Sequence, residues 1–277
     1  MNYSPIIGCG SYPWLQIYSR RNQTWSEHLA EILPIVREAG LQTWEQSVES
    51  ESEAASLGRL AAANDLQLVS MYAGGILHTA DWPAIVDGIV QKALWMKPHG
   101  TRIVVVNPDP IEWGKPLAKD DGQLRLQLRA IKKLGADLSR EGMALAYHTH
   151  DPEMLHGARE FHHMLMNTDP AEVGLCLDTH WVWRGCGNSQ VALDDLIGLY
   201  GQRIRSLHLR QSHDGVWDEV FGEGDISHVR LVACLKSIGF EGPLLLEQAY
   251  EEGTPTALEP IETHRHGKNS IQKIFSL

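Results

Sequence analysis

The chain has 277 residues, 43% hydrophobic and 21% charged, with a formal net charge of −11 when the histidines are neutral. This is a globular composition, long enough for one large α/β barrel or two modest domains. The acidic balance speaks against a nucleic-acid partner, which calls for a basic face.

In chain order, short apolar runs alternate with segments of helical spacing. Ile6–Cys9 is a first strand, followed by the turn GSYPW. Trp25–Ala39 has helical spacing, with Leu29, Ile32, Leu33 and Val36 on one side. Leu41–Val48 is a second strand, ending near Glu45 and Glu49, and Ser52–Asn64 is a helix rich in alanine and leucine. Leu66–Tyr72 is a third strand, and Trp82–Met96 a helix with Pro83 tolerated in its first turn. Thr101–Val106 is the fourth strand, ending in NPDP, and Gly122–Arg140 a long helix of good formers. Met143–Tyr147 is the fifth strand, ending in HTHDPE, followed by a helix over Ala158–Met166. Val173–Leu177 is the sixth strand, short and apolar as a strand buried on both faces must be. A helix over Leu193–Tyr200, a seventh strand Ile204–Leu209 and a helix over Ile226–Ile238 come next. Leu244–Leu246 is the eighth strand, and Gly267–Phe275 the last helix.

Eight strands alternating with eight helices predict one (β/α)8 barrel over residues 1–277. A doubly wound sheet is the alternative, but it announces itself with a glycine-rich turn after the first strand. Here that turn, GCGSYPW, lacks the third glycine and the helix start. Cys9, Cys176, Cys186 and Cys234 show no Cys-x-x-Cys spacing, as expected of reduced thiols in a cytoplasmic protein. The opening MNYSPIIGCG has no basic segment leading into an apolar one, so no signal peptide is expected. No uncharged apolar run approaches the roughly 20 residues of a membrane span, so no membrane partner is expected.

The chemistry of such a barrel lies at the carboxyl ends of its strands. There the sequence places Glu45 on the second strand, and His148, His150 and Glu153 after the fifth. Asp178 and His180 follow the sixth, His208 and Arg210 lie on and after the seventh, and Glu247 follows the eighth. Any one histidine is more often a hydrogen-bonded structural residue than a ligand. A carboxylate directly after Leu244-Leu245-Leu246 is harder to dismiss, because buried carboxylates are rare unless paired or on a metal. Asp178, His208 and Glu247 each end or interrupt an apolar strand on three successive units, and a barrel brings all three to one axis. Carboxylates mixed with imidazoles suit Mn²⁺, Mg²⁺, Co²⁺, Fe²⁺ or Zn²⁺. His99, His156, His162, His163 and His228 fall on helices or loops and read as structural, and the tail ETHRHGK is not counted. Trp14, Trp44, Trp113, Trp181, Trp183 and Trp217 fall mostly at strand ends or in the loops beyond, where aromatic walls stack on sugar rings; core filling is the default for each.

Several segments carry a resemblance: Leu177-Asp178-Thr179-His180-Trp181, Ser206-Leu207-His208-Leu209-Arg210, Phe221-Gly222-Glu223-Gly224-Asp225-Ile226 and Leu246-Glu247. They resemble the xylose-isomerase-like barrel family of sugar phosphate isomerases and epimerases. Tyr147-His148-Thr149-His150-Asp151-Pro152-Glu153 is similar to the Tyr-His-Asn-His-x-x-Glu signature of its inosose dehydratase-like branch. The resemblance implies one divalent metal held by Asp178, His208, Glu247 and a strand-five ligand. Glu153 is preferred for that ligand because it restores a third carboxylate, with His148 as the alternative. It further implies a small carbohydrate substrate, His148, His150, Glu153 and Glu247 as catalytic acid and base, and Glu45, His180, Trp181 and Arg210 as substrate-binding residues.

The expected chemistry is proton abstraction next to a carbonyl, through an enediolate, by a metal-dependent isomerase or epimerase. A lyase or dehydratase acting on a keto-sugar or keto-inositol is the alternative. A metal-dependent endonuclease, or a barrel that binds sugar without turnover, are further readings. The sequence leaves room for a homo-oligomer.

Overall fold

The computed structural model describes residues 3–277. The barrel strands are β1 (Ile6–Gly10), β2 (Thr43–Glu45), β3 (Ser70–Gly75), β4 (Ile103–Pro108), β5 (Ala144–Tyr147), β6 (Val173–Asp178) and β7 (Ile204–Leu209). A small hairpin of β8 (Ser212–His213) and β9 (Val216–Trp217) precedes the last barrel strand, β10 (Pro243–Leu246). The eight barrel strands are all parallel and laddered in the order β2-β1-β10-β7-β6-β5-β4-β3. The cylinder closes through the segment just before β3. Thr43 bridges to Gln67, and Trp44 N donates to Gln67 O at 3.0 Å. The expected third strand, Leu66–Tyr72, is therefore split: its first part pairs with β2 and its second with β4.

Around the barrel run α1 (Tyr12–Arg20), α2 (Leu29–Glu38), α3 (Glu51–Ala63), α4 (Trp82–Met96), α5 (Asp121–Arg140) and α6 (Leu155–Met166). They are followed by α7 (Thr179–Gly185), α8 (Gln190–Tyr200), α9 (Val229–Ile238) and α10 (Pro260–Phe275). Helices α1 and α7, which begin directly at strand ends, are additional to those expected from the sequence. The last helix starts at Pro260, pre-set for a first turn, and not at Gly267. Helix α6 opens with a left-handed turn, His156, Gly157 and Ala158 having φ of 56°, 73° and 57°. Regular right-handed helix starts only after Ala158. Among the described residues no helix is long and apolar enough to cross a membrane, and all four cysteines are free.

Strand alternation explains both the core and the site. Side chains two apart share a face of a strand. The outward set, including Val104, Val106, Leu145, Tyr147, Leu175, Leu177, Leu207 and Leu209, joins the main core beneath the helices. The inward set, Val105, Ala146 and Cys176, forms a separate small cluster with Tyr72 and Ile103 inside the cylinder. Two residues further along the same inward face lie Asn107, His148 and Asp178. The small inner side chains fill the barrel below, so the polar ones are stacked at its carboxyl end. Close approach of β1 and β2 fixes one further position: a Cβ on Gly8 would run into the Thr43 carbonyl.

Candidate active site

Register places the central residues side by side. Asp178 is the ladder partner of His208, and His208 is the partner of Leu245, two residues before Glu247. One ligand atom each from His148, Asp178, His208 and Glu247 lies within 4.8 Å of the other three. All four side chains are buried.

Each carboxylate spends one oxygen on the protein. Asp178 caps α7: its Oδ1 accepts from the backbone N of His180 and of Trp181, both at 2.9 Å. Its Oδ2 has no hydrogen-bond partner and stands 3.8 Å from His148 Nε2, which has none either. Glu247 Oε2 accepts from Arg210 Nη2 at 3.3 Å, while Oε1 stands 3.2 Å from His208 Nδ1. That last pair is close yet not aligned as a hydrogen bond, and His208 Nδ1 is unpartnered. On its other side, His208 Nε2 meets Glu45 Oε1 at 2.9 Å. Glu45 is thus the outer partner that orients the imidazole, a common companion of metal-ligating histidine.

Unpartnered buried polar atoms are costly. Three of them, Asp178 Oδ2, His148 Nε2 and His208 Nδ1, belong to residues that each bring a ligand atom within 4.8 Å of the others and of Glu247. Two carboxylates and two imidazoles are a donor set that fits a divalent cation. The charges agree. Burial pushes the Asp178 carboxyl up, but the contact with His148 and the Arg210 charge outweigh burial and hold it well below its ordinary value. Burial pushes the His208 pKa down, but the Glu247 and Glu45 carboxylates beside it outweigh burial and raise it well above its ordinary value. The site favours positive charge there, as a cation would supply. A thiol alternative, His148, Cys176 and His208, is also compact. Burial pushes the Cys176 thiol up to about 11, so it stays protonated and is the poorer donor.

Glu153, the strand-five ligand expected from the sequence, is not brought into this cluster; the place is taken by His148. Glu153 is fully buried behind the loop, where its Oε2 accepts from His150 N at 2.8 Å. Burial, and then the neighbouring Glu160, push its carboxyl up to about 7. Glu160 itself is held by Lys119 Nζ at 2.7 Å and by Gln127 Nε2 at 2.7 Å, a buried network that anchors the loop after β5.

Above the cluster opens a cleft of about 740 Å³. Glu45, His148 and Glu247 lie at its floor, with Tyr12, Trp113 and Trp181 among its walls. His150 and Arg210 also line it. The His150 ring packs edge-on against Trp113 and Trp181, and burial holds its pKa well below the ordinary value, so it is neutral. Arg210 lies over Trp217 and Trp181, its Nη1 unpartnered. His180 does not line the cleft. It is fully buried against Trp183 and Trp217, with its pKa lowered to about 3 first by burial and next by Arg210. Its backbone N–H, not its ring, serves the site. Trp14 and Trp44 are core residues. His228 and His264 are buried, each with a pKa near 4 through burial. Tyr12, Tyr72 and Lys115 line the cleft and were not singled out from the sequence. Their signal was position: Tyr12 and Lys115 follow β1 and β4, and Tyr72 lies on β3.

Fold and site define a single (β/α)8 barrel with an acid–imidazole cluster at the carboxyl ends of its strands. The chain belongs to the xylose isomerase-like TIM barrel family, whose sequence profile matches residues 33–273. An inosose dehydratase of Clostridium perfringens is 23% identical, over 72% of this chain and 73% of its own length. A sugar phosphate isomerase/epimerase from Parabacteroides distasonis superposes with a TM-score of 0.75 at 15% identity, covering 98% of this chain and 94% of that one. An L-ribulose 3-epimerase superposes with a TM-score of 0.70 at 17% identity, covering 100% and 95%.

Proposed function

We propose that the protein is a divalent-metal-dependent isomerase or epimerase of a sugar or keto-sugar, working through an enediolate. The observation that carries this reading is the convergence of Asp178 Oδ2, His148 Nε2 and His208 Nδ1, all buried and unpartnered, with Glu247. His148, Asp178, His208 and Glu247 would hold the metal. When bound, a divalent ion acts as a Lewis acid on a carbonyl and lowers the pKa of the neighbouring C–H.

The chain's own residues do the rest. His150, neutral and facing the cleft, takes the proton from carbon. The imidazolium so formed holds that proton beside the substrate and gives it back. Arg210, which lines the cleft and is held rigid by its Nε bond to Glu247 O at 2.7 Å, presents its charge to a substrate oxygen. Trp113 and Trp181 stack on the ring and exclude water. Return of the proton to the other face of the same carbon gives an epimer, and to the next carbon an isomer.

A second reading, a lyase or dehydratase of a keto-sugar or keto-inositol, is favoured by the likeness to inosose dehydratases. The same proton abstraction followed by loss of a β-hydroxyl serves it. The test is deuterium uptake from heavy water into a panel of ketohexoses, ketopentoses and keto-inositols. Exchange that stops on chelation and returns with Mn²⁺ or Co²⁺ is expected, and release of water distinguishes the dehydratase. No exchange into any of them with metal restored overturns both readings.

A further inference from the structure

We infer that Asn107, at the end of β4, is a positioning residue that sets the tautomer of both His148 and His150 through one oxygen atom. The inference rests on the metal-site reading above for its consequence, though not for its geometry. Asn107 is buried on the inward face of its strand. Its Oδ1 lies 2.9 Å from His150 Nδ1 and 3.4 Å from His148 Nδ1. Its Nδ2 donates to the backbone oxygen of Pro108 at 3.0 Å. A carbonyl oxygen only accepts, so the atom of the amide facing Pro108 must be the NH2. The atom facing the two rings is then the amide oxygen, which also only accepts, and which has two lone pairs.

Both rings must therefore carry their proton on Nδ1 and donate it to Asn107. In a neutral imidazole the other nitrogen is then bare. For His148 that bare nitrogen is Nε2, the one facing Asp178 and the cluster centre. For His150 it is also Nε2, on a ring that lines the cleft. One amide thus gives one histidine the lone pair needed to hold a cation, and its neighbour the lone pair needed to accept a proton. The rings are fixed further by mutual edge-on packing, with centroids 5.0 Å apart. No other hydrogen bond among the described residues holds either Nδ1.

The experiment is long-range ¹H–¹⁵N correlation of the metal-free protein labelled in its histidines. The His148 and His150 signals are assigned by their loss in His148→Gln and His150→Gln. Both should show Nδ1 protonated. In Asn107→Leu both should shift to a mixture dominated by protonated Nε2, while Asn107→Asp, which keeps an acceptor towards the rings, keeps Nδ1 protonated. Co²⁺ titration, followed by its visible bands, should weaken ten- to a hundredfold in Asn107→Leu. An Nδ1 without its proton on either ring of the unmodified protein overturns the inference, even if Asn107→Leu fails to fold. So does an unchanged tautomer in a folded Asn107→Leu. If the unmodified protein binds no Co²⁺ while the tautomers are as stated, the metal reading fails and the tautomer assignment stands.

Discussion

Replacing Glu153 by Gln should flatten the dependence of stability on pH, and leave the metal cluster intact. The glutamine carbonyl can still accept the N–H of His150, which Glu153 Oε2 receives at 2.8 Å. What the change removes is a buried acid. In the folded chain this carboxyl titrates at about 7, against 4.5 for an ordinary one. Between those values the folded state holds a proton that the unfolded chain has released. Its contribution to stability is therefore complete below about pH 4.5 and is lost as pH rises through about 7. The full swing corresponds to about 3 kcal/mol. Urea unfolding of the metal-free protein, followed by tryptophan fluorescence at pH 5, 6, 7 and 8, measures it. Glu153→Gln should gain most of that amount relative to the unmodified protein between the first and last pH. Parallel curves for the two proteins would refute the burial argument. Loss of Co²⁺ binding in Glu153→Gln would restore Glu153 as a ligand and displace His148.

Asp178→Asn should keep the α7 cap, because its carbonyl still accepts the two N–H groups, yet abolish tight Co²⁺ binding. Asp178→Ala should lose the binding and also about 1 kcal/mol of stability in a thermal or urea melt. Lys119 is 2% exposed and bonded to Glu160. Lys119→Met leaves that acid buried and uncompensated, and should cost about 3–5 kcal/mol in urea unfolding; a neutral effect would mean the loop after β5 is held otherwise. Trp113 is 56% exposed at the mouth of the cleft. Trp113→Ala should leave stability within about 0.5 kcal/mol, and raise KM several-fold for a ketose that exchanges, with kcat little changed.

The barrel was legible because its strands are short apolar runs between long amphipathic helices, a pattern with few solutions. Asp178, His208 and Glu247 were legible because charge after an apolar strand needs a reason. What escaped was chemistry that depends on direction. Asp178 was read only as a ligand, although Asp followed by Thr-His-Trp is also a helix start, and α7 is that helix. His213-Asp214-Gly215-Val216 carries the Asp-Gly signal of a tight hairpin, and Asp214 and Gly215 have φ of 51° and 81° between β8 and β9. Asn107 sits on the same strand face as Val105, so alternation alone could have marked it. The position of Glu153 was not readable in the same way. It depends on the path of the chain after β5, where the His150 N–H turns back onto Glu153 Oε2 at 2.8 Å, a contact that strand alternation does not encode.

The central claim is that four side chains from four neighbouring strands hold one ion. Anomalous scattering from a crystal soaked in Mn²⁺ tests it most directly. One peak is expected, within bonding distance of His148 Nε2, Asp178 Oδ2, His208 Nδ1 and Glu247 Oε1. A peak seated on Glu153 and away from His148, or no peak at saturating Mn²⁺, would contradict it.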